Sequence, residues 1–279
     1  MTAGMRVEAV CRGDGFFRGW WDFAGSLTPA AKVTLAAIAW AAVLAAWEFF
    51  PRPEGVVSLI PTASQVISSM GELFSEKDFA SDVAASLKRI SLSFVIAVSV
   101  AWPLGIAMGT FPAVEGLLNP LVSPLRYLPA PSFVPLLLAL LGTGDEQKIA
   151  LLIIGVIWFL VSLFMDDTKR VSKDLLEAGR TLGTTRLGTI RHVIIPAAMP
   201  FFLDTARQML AVSWTYLVIA EIVAATDGIG AVMMRARRVV RMDVILGCIL
   251  TIGCLGFLSD GLLRALRRIA FPYLSDSKN

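Results

Sequence analysis

The chain has 279 residues, of which 56% are hydrophobic and only 17% charged, with a mean hydropathy of +0.71. A soluble domain carries about a quarter charged residues, so an aqueous globular fold is excluded and a membrane domain is expected. The net charge of +3 is too small to suggest nucleic acid. One histidine and three cysteines (Cys11, Cys248, Cys254), with no metal-ligand spacing among them, argue against a metal centre, a disulfide framework or a His-based catalytic triad.

Residues 1–32 read as a mixed cytoplasmic tail without a signal-peptide pattern. Residues 33–272 read as a single all-α integral membrane domain with about six transmembrane helices, and 273–279 as a second cytoplasmic tail. A span needs about 20 mostly apolar residues. The first is expected near 33–50, stopped by Pro51 and Pro53. An amphipathic helix follows at Ala63–Phe74, on the membrane surface or against other spans, with Val66, Ile67, Met70 and Leu73 on its apolar face. The second span, near 90–108, carries no charge. The third, near 127–142, contains Pro129, Pro131 and Pro135 and is either a pathway-lining broken helix or a kinked packing helix. The fourth lies near 149–165, the fifth near 197–225 and the sixth near 244–263.

Between the fourth and fifth spans runs a charged loop, 166–195. Its segment KDLLEAGRTLGTTRLGTIRHVIIPAAMP starts at Lys173. Ser172 can cap a short helix, Gly183 suits the left-handed position that ends it, and Thr184 or Thr185 can cap a second. In that second helix Arg186 and Arg191 are expected exposed, and Leu187, Ile190 and Ile194 buried. Pro196 suits the first turn of the next span. The product is a helix–turn–helix bracket with small residues on one face, shaped to dock on another protein. Basic residues orient the chain: four, six and four Lys/Arg lie in the N-terminal tail, this loop and the C-terminal tail, against nine on the other side. The loop and both termini are therefore expected in the cytoplasm.

Glu177-Ala178-Gly179, then Gly183, then Ile195-Pro196 keep the spacing of the EAA loop in permeases of binding-protein-dependent ABC importers, which this chain resembles. Gly179 and Ile195 replace the usual Ala and Leu. Arg126-Tyr127-Leu128-Pro129 with Pro135-Leu136, the Gly142-Thr143-Gly144-Asp145-Glu146 turn, and Ala220-Glu221-Ile222-Val223-Ala224 before Gly228-Ile229-Gly230 look like the nitrate/sulfonate/taurine/bicarbonate branch. The resemblance implies a type I ABC importer permease fold in the bacterial inner membrane. It also implies two cytosolic ATPase subunits carrying ATP and Mg, a second permease copy, and an extracytoplasmic solute-binding protein. The chain itself would hold no cofactor and no catalytic residue. ATPase coupling would fall on Glu177, Ala178, Gly179, Arg180, Gly183 and Arg186, and the cargo would be a small oxyanion.

Charges within the spans need partners or water. Asp204 and Arg207, three apart on one helix face, are expected either as a paired or snorkelling structural feature or as a gate. Glu221 is expected to bond backbone donors or an arginine, with gating or selection as the alternative. Trp158, Trp214 and Tyr216 are aromatics of apolar spans that more often pack between helices. Met209, Ser213 and Trp214 are the first guess for substrate contact. Arg235, Arg237, Arg238 and Arg241 form either a solvated segment, a docking patch for the binding protein, or a funnel for anions. Two other functions fit less well: an ion-gradient-driven carrier, for which no internal repeat is visible, and an ABC permease for a different small organic solute.

Overall fold

The computed structural model describes residues 28–50, 60–76, 78–223 and 226–272, so Cys11, both tails beyond these limits and Pro51 and Pro53 lie outside the described residues. The chain divides into two units, 1–55 and 56–279. The first contributes one described helix, α1 (Pro29–Glu48). Thr28 caps it by accepting from the Ala31 amide at 3.3 Å, and Pro29 occupies the first turn, where its missing N–H costs nothing.

The second unit is helical, with no strand among the described residues. Helix α2 (Ala63–Glu76) opens on a capping box: the Thr62 amide donates to Gln65 Oε1 at 2.9 Å and the Gln65 amide to Thr62 Oγ1 at 3.1 Å. Val66, Ser69 and Leu73 are buried on its inner face, whereas Ile67, expected there, is exposed.

Helix α3 (Phe79–Thr110) is far longer than the apolar run that announced it. Its buried face runs Ser86, Arg89, Ser93, Ala97, Ala101, Gly105 at steps of three and four, polar at one end and small at the other. The small end lets α3 lie close against α6 (Asp145–Lys169), the most central helix of the unit. A Cβ placed on Gly105 would stand 2.5 Å from Phe164 Cβ, and one on Gly155 of α6 would stand 2.6 Å from the Tyr216 ring of α9 (Ile195–Val223). Close backbone approach through small residues is how helices associate where no hydrophobic drive separates them from lipid.

The third span differs most from expectation. The region 127–142 is not one helix. Helix α4 (Pro112–Leu125) keeps Pro120 and Pro124 inside it; the chain then breaks at Arg126–Pro129, makes a 3-10 turn (Ala130–Phe133), and resumes as the eight-residue α5 (Val134–Leu141). The two arms are bent by 83°. Residues before proline avoid the helical region, and Leu128 and Ala130 each precede one, so the proline pair disrupts the helix there.

Beyond α6 come α7 (Lys173–Thr181), the single turn α8 (Arg186–Thr189) and a π-helical turn (Ile190–Ile194) that runs without interruption into α9. Helix α10 (Ile229–Arg238) is short, and α11 (Met242–Ala270) closes the unit against α9, α10 and α2. Among the described residues four helices (α1, α3, α6, α11) are long and apolar enough to cross a bilayer, or five where the bent pair α4–α5 counts as one span. At 29 residues α9 has the length, about 43 Å at 1.5 Å per residue, but Asp204, Arg207 and Glu221 lower its apolarity.

Candidate functional site

The bracket between α6 and α9 is built as its residue types require. Ser172 Oγ accepts from the Leu175 amide at 3.4 Å to start α7. Gly183 ends α7 at φ 76°, a conformation an L side chain resists. Thr185 caps α8 by accepting from the Gly188 amide at 3.1 Å, while Thr184 Oγ1 donates back to the Gly179 carbonyl at 2.8 Å. The two threonines thus divide the work: one starts the next helix and the other ties the turn to α7. His192 sits exposed, its Nδ1 3.1 Å from the Gly188 carbonyl.

Glu177, Ala178, Arg180, Gly183 and Arg186 are all exposed on this bracket, but Gly179 is buried. A Cβ at Gly179 would lie 3.3 Å from Val193 Cγ2, so that glycine serves the close approach of α7 to the π turn rather than an outer surface. Leu187, expected buried, is 74% exposed, and Leu182 is 83% exposed. The turn therefore presents two bare leucines beside small residues and arginines.

At this same end of the bundle, ionic pairs join the helices. Asp204 and Arg207 do not pair with each other. Asp204 meets Arg267 of α11 at 3.1 Å, and Arg207 Nε lies 3.3 Å from Asp260, which also pairs with Arg264. Each residue's face is turned to α11, whose basic and acidic residues supply better-placed partners than one a turn away. Lys169 bridges to Glu115 of α4 at 2.6 Å, and Thr205 donates to Asp167 at 2.5 Å.

The opposite end holds a second cluster. Arg89, 1% exposed, donates through Nε to Asp145 at 2.7 Å, through Nη1 to Glu221 at 2.9 Å and through Nη2 to Asp227 at 2.6 Å. Glu221, equally buried, also accepts from Ser86 Oγ at 2.7 Å and from the Gly230 amide at 2.9 Å. Lys148 donates to Thr226 at 2.8 Å and to Asp227 at 3.1 Å. Asp82 accepts from the Gly228 amide at 2.7 Å and from Arg235 at 2.6 Å. One network therefore ties together α3, α6, α9 and α10. Burial pushes the Asp227 carboxyl up, but hydrogen bonds from Thr226, Arg89 and Lys148 outweigh it and hold the group well below the usual carboxylate range.

Of the arginine run, Arg235 is thus paired, and Arg241 holds Asp243 at 2.6 Å and Glu72 of α2 at 3.0 Å, which raises its pKa further. Arg237 and Arg238 remain exposed. Beside the run, a cavity of about 500 Å³ is lined by Leu73, Asp78, Phe79, Asp82, Arg235 and Arg241. Ser213 and Trp214 are buried inside the chain: Ser213 Oγ donates to the Met209 carbonyl, and Trp214 packs with Ile90, Leu151, Leu217 and Ala220. Trp158 and Tyr216 pack at the edges of the core. Sequence reasoning missed Arg89, Asp145 and Lys148 as site residues. Their signal was the polar stripe Ser86–Arg89–Ser93 and the acidic start of α6, both at the margins of apolar runs.

Comparison with known proteins agrees with this architecture. Residues 101–269 match the binding-protein-dependent transport system inner membrane component family. The chain is 33% identical over 225 residues to the taurine transport system permease protein TauC of Escherichia coli (strain K12), covering 81% of this chain and 80% of that protein. It is 26% identical over 250 residues to the nitrate import permease protein NrtB of Synechocystis sp., covering 86% and 90%. Among solved structures, an inward-facing MetNI methionine ABC transporter is similar with a TM-score of 0.57 at 20% identity, covering 67% of this chain and 95% of that one. A bacterial importer of the acidic polysaccharide alginate is similar with a TM-score of 0.55 at 13% identity, covering 86% and 94%. With its all-helical bundle and its bracketed loop, the chain belongs to the binding-protein-dependent transport system inner membrane component family, and so is a membrane-embedded translocation subunit of an ABC transporter rather than an enzyme.

Proposed function

We propose that the chain imports a small oxyanion-type solute, of the nitrate, bicarbonate, taurine or sulfonate class, delivered by an extracytoplasmic binding protein. Relatives named for taurine, aliphatic sulfonates and nitrate support that class. Two cytosolic ATPase subunits, which hold ATP and Mg, grip the α7–α8 bracket, and a second copy of this chain completes the pathway. The bracket lies in the cytoplasm with both termini, as the basic residues favour.

The observation that carries this reading is the pair of bare leucines, Leu182 and Leu187, flanking Gly183 on a bracket continuous with α9. Exposed leucines set among small residues suit a groove on a partner. Glu177, Ala178, Arg180 and Arg186 frame that contact, while Gly179 supports it from inside. Arg237 and Arg238 are the residues of the arginine run left to meet a binding protein, since Arg235 and Arg241 are engaged within the chain. Asp204, Arg207 and Glu221 act as ties that hold the helices in one access state, and Met209 is the part-buried member of its trio on α9.

Affinity purification of the tagged chain from its native membrane tests this. The ATPase is expected to co-purify, and Gly183→Val, a β-branched residue at a positive φ, is expected to lose it while the chain stays in the membrane. Unaltered co-purification and transport by Gly183→Val would remove the bracket from the coupling path.

A further inference from the structure

Arg126 stands at the break of the bent span, and its surroundings differ from those of the paired basic residues of the bundle. We propose that it is the counter-charge for the transported anion within the membrane, a binding site for a sulfonate- or nitrate-type oxyanion. The assignment deepens the oxyanion reading above and rests on it.

Depth comes first. Helix α4 starts beside the end of α6, through the Glu115–Lys169 bridge, and α5 ends at Leu141, just before α6 begins at Asp145. The bent pair therefore leads from one end of α6 back to the other, and its break falls near the middle. Val122, before the break, shares a core cluster with Val156 and Leu160; Ala130 and Val134, after it, share one with Leu151 and Leu152.

Charge comes second. Arg126 Nη2 donates to Ser123 Oγ, a neutral hydroxyl, at 3.1 Å, and its Nε is buried with no partner. Among the described residues no carboxylate lies within ion-pair distance of it, whereas Arg89, Lys148, Arg207 and Arg267 each have one. A guanidinium at membrane depth without a carboxylate is costly unless water or an anion meets it. Polarity comes third. Tyr127 is 82% exposed, Ser132 in the following turn is exposed, and that turn touches α9, whose Thr215 is also uncovered. Uncovered polar groups at this depth belong beside a wet cavity, not hydrocarbon. The planar donors of a guanidinium match the oxygens of a sulfonate or nitrate. Neutral neighbours and a single charge keep such a site weak enough to release its cargo.

The test places a thiol beside the charge. In the intact reconstituted transporter, with Cys11, Cys248 and Cys254 replaced by alanine, Tyr127→Cys is treated with sulfonatoethyl methanethiosulfonate, itself a sulfonate, or with its trimethylammonium counterpart. Rates are divided by those for a free thiol. The anionic reagent is expected to react about tenfold faster, as local field focusing provides. Nitrate should slow it, Arg126→Lys should keep the preference, and Arg126→Gln should abolish it. Equal rates, or no reaction with either reagent, would overturn the site and leave Arg126 as a cap on α4. If Arg126→Gln is not recovered in the membrane, the ratio with arginine or lysine in place decides alone. Uptake of taurine, nitrate and bicarbonate is measured in the same vesicles. Uptake without a charge preference removes only the Arg126 assignment; a charge preference without uptake of any oxyanion removes the oxyanion reading but not the anion-attracting site.

Discussion

At Glu221 a single carboxylate receives Arg89 from α3, Ser86 from the same helix and the Gly230 amide of α10. Removing it takes one of three carboxylates from Arg89 and leaves Ser86 Oγ and the Gly230 amide without their acceptor, and each unmet buried donor costs about 1–3 kcal/mol. Glu221→Ala is therefore expected to lower the thermal stability of the purified protein markedly, and Arg237→Ala, on the exposed arginine run, to leave it unchanged. Asp227 predicts a pH dependence. Its carboxyl is held below its unfolded value, so its stabilisation is fully present above about pH 4. It is lost only as the pH falls toward the folded value. The stability difference between wild type and Asp227→Asn should stay constant from pH 7 to pH 5, as read from melting curves; a difference that vanished in that window would contradict the pairing. The bonding of Glu221 to an arginine and a backbone amide was open to sequence reasoning, because a carboxylate inside a span needs such partners. Arg89 was not, because it sits one residue outside the apolar run and hydropathy assigns it to the surface.

Helices show the same division. The bracket's caps were readable from Ser172, Gly183 and Thr185, since each acts on its own neighbours. The span ends were not: α3 begins eleven residues before the apolar run at Ile90, because a helix continues as long as its backbone bonds close, whatever its polarity. The three prolines signalled a disturbance near 127–142 without saying that Pro120 and Pro124 would stay helical and the chain would turn at 126–129. Nor could the sequence say that Asp204 and Arg207 would reach across to α11 instead of to each other. That crossing predicts that Arg267→Asp weakens the fold by about 1 kcal/mol and that Asp204→Arg restores much of it, as a melting-temperature cycle would register. Packing is equally specific. Gly105→Ala drives a methyl into Phe164 and should cost about 1–3 kcal/mol. Gly253→Ala, with open space around it, should cost nothing or stabilise slightly. Similar losses at both positions would mean that α3 and α6 are not held this closely.

Across the second unit, the ion pairs between long helices are sorted to two ends, with Arg89, Lys148 and their carboxylates at one and Asp204, Arg207, Asp260 and Arg267 at the other, and Arg126 stands between them. The proposed orientation puts the first outside and the second in the cytoplasm. Membrane-impermeant maleimide applied to spheroplasts should then label Glu146→Cys directly and Leu182→Cys only after permeabilisation, in a background without native cysteines. The reverse pattern would invert the bundle.

The π turn at Ile190–Ile194 passes into α9 with no loop between them, and α9 ends at Val223, two residues past Glu221. In the proposed coupling the bracket is then a handle fixed to a shaft about 43 Å long. Tilting such a shaft by roughly five degrees carries its far tip about 4 Å, more than the length of a hydrogen bond. A twitch of the handle too small to disturb its own caps would thus be enough to pull the Glu221 carboxylate off Arg89.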